Sequence, residues 1–136
     1  MNQCLFCRIA KKEITGWVIA EDDVTMAFLD IRPRASGHTL VIPKIHVQNI
    51  LETTPETLGP LWVFVRSVTA QLQRTLHPDG FTIGINQGAS AGQAIDHLHI
   101  HVIPRWHGDK GKSIPEVVES NASETVEALY KKITTI

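Results

Sequence analysis

The longest periodic pattern in the chain is a helical one, between about Thr54 and Leu76. Apolar side chains recur there every three or four residues, at Leu58, Leu61, Trp62, Val65, Val68 and Leu72. This spacing predicts one long amphipathic helix, with Thr54 able to cap its start and Pro55 in its first turn. Because Gly59 and Pro60 follow soon after, we expect the regular part of the helix to begin only near Pro60.

Short apolar or alternating runs bounded by turn residues predict about five strands. The runs lie at residues 17–20, 24–30, 38–43, 81–86 and 95–104. Two short helices are also predicted, one over residues 6–12 and one over 123–132, where Ser123 opens a capping pattern. An antiparallel sheet of this size, with one long and one or two short helices, indicates the α+β class.

Composition narrows the class of protein further. The chain has 136 residues, of which 43% are hydrophobic and 20% are charged, as in an ordinary globular domain. Its formal charge of −1 offers no field that would attract a nucleic acid polymer or an anionic membrane. The sequence shows neither a signal peptide nor a run of about eighteen apolar residues, so we expect one cytoplasmic domain over residues 1–136.

Histidine is over-represented, with seven copies, and three of them alternate with apolar residues in the run H-L-H-I-H-V-I that begins at His97. On a strand, alternate side chains point to the same face at intervals of about 6.6 Å. We therefore expect His97, His99 and His101 to project together. One histidine at such a position is usually an ordinary polar residue, but three in alternation indicate a functional site. His77 and His107 are expected on the surface.

Two kinds of chemistry suit a row of imidazoles. A neutral imidazole can attack a phosphorus atom while its neighbours balance the charge on the phosphate oxygens. The same row could bind a metal ion. A metallo-hydrolase, however, normally adds a carboxylate ligand or an H-E-x-x-H helix, and no such motif accompanies this run. The pattern therefore favours nucleophilic attack on phosphorus.

The run H-x-H-x-H resembles the signature of the histidine triad (HIT) superfamily. The preceding loop, residues 86–93, resembles the loop that holds the phosphate in that family, and residues 28–31 and 37–46 resemble its upstream half. The likeness covers about residues 3–106 and leaves a tail at 107–136. It is closest to bacterial and archaeal members, related to the purine nucleoside phosphoramidases and dinucleoside polyphosphate hydrolases.

The resemblance implies a HIT-like fold and a homodimer built from the long helix and a sheet edge. An exposed apolar stripe is expected on that helix, at Leu61, Trp62 and Val65. It also implies a purine nucleotide, or a conjugate of one, as the ligand.

The same resemblance assigns chemical roles to the histidines. His99, the middle one of the triad, would attack the α-phosphorus of a nucleotide conjugate and form a nucleotidyl-histidine intermediate, which water then resolves. His101 and His38 would contact the phosphate oxygens, and His97 would orient the site. Backbone N–H groups of Gly92 and its neighbours would stabilise the developing charge.

The nucleoside end of the site is also assigned by resemblance. Asp30 would accept a ribose hydroxyl, Asn86 would face the phosphate or the ribose, and Gln93 of the loop would also belong to the nucleotide-binding residues. The purine would lie in an apolar cleft formed by Leu5, Phe6, Ile9, Phe28 and Ile31. For each of these apolar residues, packing in the core is an equally good interpretation.

Ala94 departs from the family pattern. The phosphoramidase branch has a serine at this position that contacts the phosphate and the leaving group, and alanine has no proton to deliver to a leaving amine. The scissile bond could belong to a phosphoramidate, a dinucleoside polyphosphate or an adenylated metabolite. A nucleotidyl transferase and a nucleotide-binding regulatory module with little turnover are the alternatives to a hydrolase.

Cys4 and Cys7 form a C-x-x-C pair and are the two cysteines of the chain. By themselves they could be small core side chains, a thioredoxin-like redox pair or half of a metal site, but the hairpin predicted after Cys7 argues against the redox pair. Several bacterial-type triad proteins and the related uridylyltransferases, which this sequence resembles, combine such cysteines with two histidines. The corresponding residues here are His46 and His97, so the resemblance implies a structural zinc site.

Overall fold

The computed structural model describes residues 3–135. In chain order, helix α1 (Leu5–Ala10) is followed by strands β1 (Val18–Glu21), β2 (Thr25–Leu29) and β3 (Thr39–Pro43), helix α2 (Pro55–Leu76), strands β4 (Gly80–Gly84) and β5 (Ile100–Arg105), and helix α3 (Val126–Thr134). Two short 3₁₀ turns, Ala89–Ala91 and Ile114–Val117, lie in the segments after β4 and β5. The α+β class predicted from the sequence is confirmed.

The five strands form one antiparallel sheet in the order β1-β2-β3-β5-β4. Strands β1 and β2 form the predicted hairpin, with Ala20 opposite Ala27. Strand β5 lies inside the sheet, where His101 is opposite Leu40 of β3 on one side and Gly84 of β4 on the other. The strand that begins within the histidine run is therefore held by backbone hydrogen bonds on both sides.

Apolar side chains pack on both faces of the sheet. One cluster packs α2 against the sheet and contains Ala27, Val41, Leu61, Val65, Val68, Leu72, Leu98, Ile100 and Val102. The other packs α1 against the sheet and contains Phe6, Ile9, Met26, Phe28, Leu40 and Ile42. Successive residues of β2 and β3 alternate between the two clusters because strand side chains alternate between faces. The triad histidines lie on the side of α1.

Helix α2 begins earlier than the sequence predicted, at Pro55 rather than near Pro60. An internal proline removes one backbone hydrogen bond, but in these exposed first turns water can satisfy the carbonyl that is left over. Thr54 precedes the helix as predicted, although its side chain makes no capping hydrogen bond. Its backbone carbonyl accepts instead, from the N–H groups of Thr57 at 3.1 Å and Leu58 at 2.8 Å.

The exposed stripe expected on α2 is wrong at two of its three positions. Leu61 and Val65 are 1% and 3% exposed and belong to the core, whereas Trp62 is 42% exposed. The helical period places residues 61, 65, 68 and 72 on the face that packs on the sheet, and Trp62 lies at the border of that face. Val63, 70% exposed, extends the apolar surface beside Trp62.

Strand β5 begins at Ile100 rather than at residue 95. Before it the backbone turns, because the N–H of His97 donates to the carbonyl of Ile95 at 2.8 Å and the N–H of Leu98 donates to the carbonyl of Val47 at 2.7 Å. Of the three alternating histidines, only His101 lies within the strand. The expectation of three imidazoles on one regular strand is therefore corrected.

The tail carries a short helix, as predicted, but with a different cap. Helix α3 begins at Val126 and is capped by Thr125, whose hydroxyl accepts from the N–H of Ala128 at 3.1 Å, not by Ser123. A capping box of Ser113 and Glu116 on the second 3₁₀ turn was not predicted, although its Ser-x-x-Glu spacing is visible in the sequence. Within residues 3–135, no helix is both long and apolar enough to cross a membrane.

Candidate active site

The ring of His99 is held by a backbone carbonyl. Its Nδ1 lies 2.7 Å from the carbonyl oxygen of His97, and the side chain is buried. A carbonyl can only accept a hydrogen bond, so Nδ1 carries the proton and Nε2 carries the lone pair. The fold thus presents His99 in the tautomer that a nucleophilic Nε2 requires.

His38 and His101 form a second, directional pair. The backbone N–H of Arg34 donates to Nδ1 of His38 at 3.1 Å, so the proton of the neutral ring is on Nε2. That Nε2–H donates to Nδ1 of His101, 2.9 Å away. His101 therefore carries its own proton on Nε2, which can donate to a ligand. His38 is buried, and its Nε2–H is used in the hydrogen bond to His101.

Burial keeps these imidazoles neutral. It lowers the pKa of His97 and of His101 to about 4. It also lowers the pKa of His38 and of His99, although the carboxylate of Asp30 acts on both in the opposite direction. Near pH 7 the rings therefore keep the lone pairs and N–H groups that their hydrogen bonds assign to them.

Asp30 lies at the end of β2, next to the histidine pair. Its Oδ1 accepts from the N–H of Arg32 at 2.9 Å, and its Oδ2 lies 3.6 Å from Nε2 of His38. Asp30, His38 and His101 could be taken for a metal site, because their donor atoms all lie within 4.8 Å of one another. Nε2 of His38 carries a proton in the arrangement imposed by Arg34 and donates it to His101, so it has no lone pair for a metal ion. We therefore interpret the three as a hydrogen-bonded histidine pair with the Asp30 carboxylate beside it.

The glycine-rich loop has a shape that requires glycine at two positions. Gly88 and Gly92 have φ angles of 88° and 95°, which side chains other than hydrogen strongly disfavour. Gln93 braces the loop: its Oε1 accepts from the N–H of Gly88 at 2.9 Å, and its Nε2 donates to the carbonyl of Gln48 at 2.8 Å. Asn86, by contrast, is exposed at the start of the loop.

The five apolar residues assigned to the purine cleft divide into two groups. Phe6, Ile9 and Phe28 are buried in the cluster between α1 and the sheet. Leu5 is 40% exposed and Ile31 is 77% exposed. Of the five, only Leu5 and Ile31 therefore have much exposed side-chain surface, and the assignment of the other three to a cleft is corrected to packing in the core.

The cysteine pair and two histidines meet in a second group. Sγ of Cys4 lies 3.3 Å from Nδ1 of His97, and Sγ of Cys7 lies 3.2 Å from Nδ1 of His46 and 3.5 Å from Nδ1 of His97. Tetrahedral zinc with bonds of about 2.0 Å to nitrogen and 2.3 Å to sulfur requires neighbouring donors roughly 3.3–3.8 Å apart. These three pairs lie at or near such distances and all four donor atoms lie within 4.8 Å of one another, so the group suits a zinc ion in both spacing and chemistry.

The outer nitrogen of His97 is also satisfied. Its Nε2 lies 2.8 Å from the carbonyl oxygen of Pro43, which must accept, so the lone pair is on Nδ1 and faces both sulfur atoms. This backbone acceptor orients a metal-binding imidazole in the way that known metal sites do. We name Cys4, Cys7, His46 and His97 the Cys2His2 group.

The structure thus brings the predicted residues together in two adjacent groups. His38, His99, His101 and Asp30 form the first, which we name the triad site, and His97 belongs to the Cys2His2 group through its ring. His77 and His107 are exposed, as predicted. Sequence reasoning missed the backbone groups of Arg34 and Pro43, since any residue supplies an N–H or, as here, a carbonyl, and side-chain patterns carry no signal for them.

An antiparallel sheet with hydrogen-bonded histidines that follow a glycine-rich loop is typical of the histidine triad class of proteins. Residues 11–108 match the HIT domain family model, and the chain belongs to this family. It is 33% identical to adenosine 5'-monophosphoramidase hnt1 of Schizosaccharomyces pombe over 130 residues, 96% of this chain and 95% of that protein.

Solved structures show the same fold. A HIT family member from Bacillus subtilis superposes with a TM-score of 0.86 at 32% identity, with 98% of this chain and 94% of that chain covered. A zinc-bound histidine triad family protein from Mycobacterium smegmatis superposes with a TM-score of 0.76 at 40% identity, covering 79% of this chain and 78% of that one.

Proposed function

We propose that this protein hydrolyses a nucleotide conjugate at its α-phosphate, with His99 as the nucleophile. The observation that carries the proposal is the hydrogen bond from Nδ1 of His99 to the carbonyl of His97, 2.7 Å long, which leaves the Nε2 lone pair available. The family includes a relative named as a nucleotide hydrolase, the adenosine 5'-monophosphoramidase of S. pombe.

The reaction would run in two displacements. Nε2 of His99 attacks the α-phosphorus, the bond from phosphorus to the leaving group breaks, and the leaving group departs with the electron pair. The resulting imidazolium keeps its Nδ1–H on the His97 carbonyl, and Nε2–H of His101 donates to a phosphate oxygen. Water then attacks phosphorus, breaks the bond to Nε2, loses a proton to solvent, and releases the nucleoside monophosphate and neutral His99.

The remaining residues would bind the nucleotide. Asp30, with its carboxylate next to His38, would accept a ribose hydroxyl, and Leu5 and Ile31 would cover the two faces of a purine. Asn86 would contact the phosphate. The N–H of Gly92, expected from the resemblance to stabilise the developing charge, donates instead to the carbonyl of Ala89 at 3.0 Å, so it would support the loop and not the phosphate. Gln93 would act indirectly, since its side chain is engaged in bracing the loop.

The leaving group can be tested with a substrate panel. We expect adenylated compounds whose leaving group is the anion of a strong acid to be cleaved faster than an adenosine phosphoramidate, because Ala94 supplies no proton to a departing amine. The measurement is kcat/KM for a phosphoramidate, a dinucleoside polyphosphate and an adenylyl sulfate or carboxylate. Ala94→Ser should raise the phosphoramidate rate relative to the others.

Absence of turnover on the whole panel, with tight nucleotide binding, would contradict the hydrolase proposal and favour a regulatory module. Transfer of the nucleotide to an added alcohol or phosphate acceptor in preference to water would favour a transferase.

We also propose that the Cys2His2 group binds one structural zinc ion. Metal analysis of protein purified without chelator should give close to one zinc per chain, and Cys4→Ser or His46→Ala should deplete it, because each removes one of four ligands. His77→Ala, at an exposed histidine outside the group, is the matched control. A full zinc content in the Cys4→Ser/His46→Ala double variant would refute the assignment.

We also propose a cytoplasmic location. Reduced thiol ligands agree with it, because thiols stay reduced in that compartment.

A homodimer is proposed across α2 and the free edge of β4. The groove between them has a volume of about 530 Å³ and is lined by Trp62, Val65, Arg66, Thr69, Ala70, Gln73, Phe81 and Ile83. Light scattering should give twice the chain mass of 15.1 kDa, and Trp62→Glu should reduce it to the monomer mass. A monomeric wild-type protein at micromolar concentration would exclude this dimer.

A further inference from the structure

His97 takes part in both groups of the site. Its ring lies in the Cys2His2 group, 3.3 Å from Sγ of Cys4, and it is fully buried. Its backbone carbonyl, on the same residue, accepts from Nδ1 of His99 at 2.7 Å. Whatever holds the ring of His97 therefore also holds the hydrogen-bond acceptor that sets the tautomer of His99.

A second connection runs through α1. Cys4 and Cys7 lie on either side of Phe6 in the sequence, and Cys4 caps the helix by accepting from the N–H of Cys7 at 3.4 Å. The ring of Phe6 packs edge-on against His99, with 5.2 Å between the ring centres, and against His97 at 6.0 Å. The helix turn that bears the two thiols is thus one wall around the nucleophile.

A third connection runs through the segment after β3, which contains His46. The carbonyl of Val47 accepts from the N–H of Leu98 at 2.7 Å. The carbonyl of Gln48 accepts from Nε2 of Gln93 at 2.8 Å, so this segment also supports the glycine-rich loop. The four donors of the Cys2His2 group therefore come from the three segments that position the nucleophile, line the cleft and brace the loop.

We propose that His97 is a positioning residue through which metal occupancy of the Cys2His2 group sets the orientation of His99 and the shape of the nucleotide site. Bonds to a cation would lock the His97 ring, and with it the peptide carbonyl two residues before the nucleophile. Four such bonds would also tie the three segments to one another more firmly than the contacts among the donors do by themselves. The proposal rests on the proposed function in naming His99 as the nucleophile and in taking the Cys2His2 group to bind zinc.

The experiment compares zinc-loaded, chelator-stripped and zinc-reloaded full-length protein. Nitrogen-15 NMR of labelled histidine reports the tautomer of His99, and calorimetry reports the affinity for adenosine monophosphate, used as the probe. We expect the stripped protein to lose the single Nδ1–H signature of His99 and to bind the probe roughly 10- to 100-fold more weakly. Reloading with zinc should restore both.

Two further comparisons separate the effect of the metal ion from side effects of the chelator and from unfolding. His46→Ala removes a ligand whose ring contacts Cys7 and His97. This variant should reproduce the stripped state, whereas His77→Ala, at an exposed position, should match the wild type. If stripping unfolds the chain, cadmium can replace zinc: its longer bonds should shift the His99 resonances in a protein that stays folded.

Stripped, folded protein with an unchanged His99 signature and unchanged affinity would overturn the proposal. Unchanged His99 resonances on cadmium exchange would do the same. Because neither readout needs turnover, a metal-dependent His99 tautomer in a protein that cleaves none of the panel substrates would refute the hydrolase function and leave this linkage standing.

Discussion

His99→Ala should reduce hydrolysis of every substrate that the wild type cleaves by at least about 10⁴-fold, as expected when a covalent nucleophile is removed. No neighbouring imidazole can replace it, because Nδ1 of His101 already accepts from His38 and the ring of His97 lies among the cysteines. The measurement is single-turnover rate with the preferred panel substrate. Binding of adenosine monophosphate should persist, since His99 contributes little exposed surface.

The covalent intermediate gives direct evidence. Rapid quenching of wild-type protein with substrate labelled in the nucleotide, followed by peptide mapping under conditions that preserve phosphoramidate bonds, should place the label on His99. A label on His101, or turnover by His99→Ala at the wild-type rate, would show that the nucleophile has been assigned to the wrong residue. His77→Ala is the control, because it removes an exposed histidine that lies outside the triad site and should leave turnover unchanged.

His101→Ala should lower kcat roughly 100- to 1000-fold, the cost of one lost donor to a developing oxyanion, and leave measurable turnover. The reason is the proton on its Nε2, which is placed there because Nδ1 accepts the 2.9 Å hydrogen bond from His38. Steady-state kinetics on the preferred substrate measures the effect. Complete loss of activity, equal to that of His99→Ala, would mean that His101 does more than stabilise charge.

His38→Ala distinguishes two roles for His38. The family resemblance implies a phosphate contact, whereas the structure buries this side chain and engages both ring nitrogens, one with the Arg34 N–H and one with His101. If His38 acts through His101, the His38→Ala/His101→Ala double variant should have about the same kcat as His101→Ala alone. Multiplicative losses would show an independent contact. His38→Gln, whose amide can donate to His101, should retain more activity than His38→Ala.

Local sequence patterns predicted the elements and the chemistry of the site. The helical period from residue 58 to 72 predicted α2, and the alternating runs predicted five strands, because both periods follow from backbone geometry over a few residues. The exposed stripe expected on α2 was wrong at Leu61 and Val65, which are buried. The histidine alternation indicated a cluster, and the family resemblance implied that the C-x-x-C cysteines are metal ligands. Such patterns lie within a few neighbouring residues, so they can be recognised in the sequence without knowledge of the fold.

Ends of elements were less well predicted, because long-range contacts decide them. Residues 95–99 continue the alternating pattern of β5, yet their backbone turns away to bond with the segment after β3, about fifty residues earlier in the chain. Likewise Phe6, Ile9 and Phe28 suit a ligand cleft or a core equally well by composition, and only the packing of α1 on the sheet buries them.

The sequence by itself determined which imidazoles and thiols are present and that they cluster; the tertiary structure decided what each one does. The carbonyl of Pro43 directs the ring of His97 to the cysteines, the N–H of Arg34 turns the His38 proton toward His101, and the carbonyl of His97 frees Nε2 of His99. The physical reason is that a histidine tautomer is set by the partner of its other nitrogen. Here those partners are backbone groups, which every residue type supplies alike, and the fold alone brings them into place.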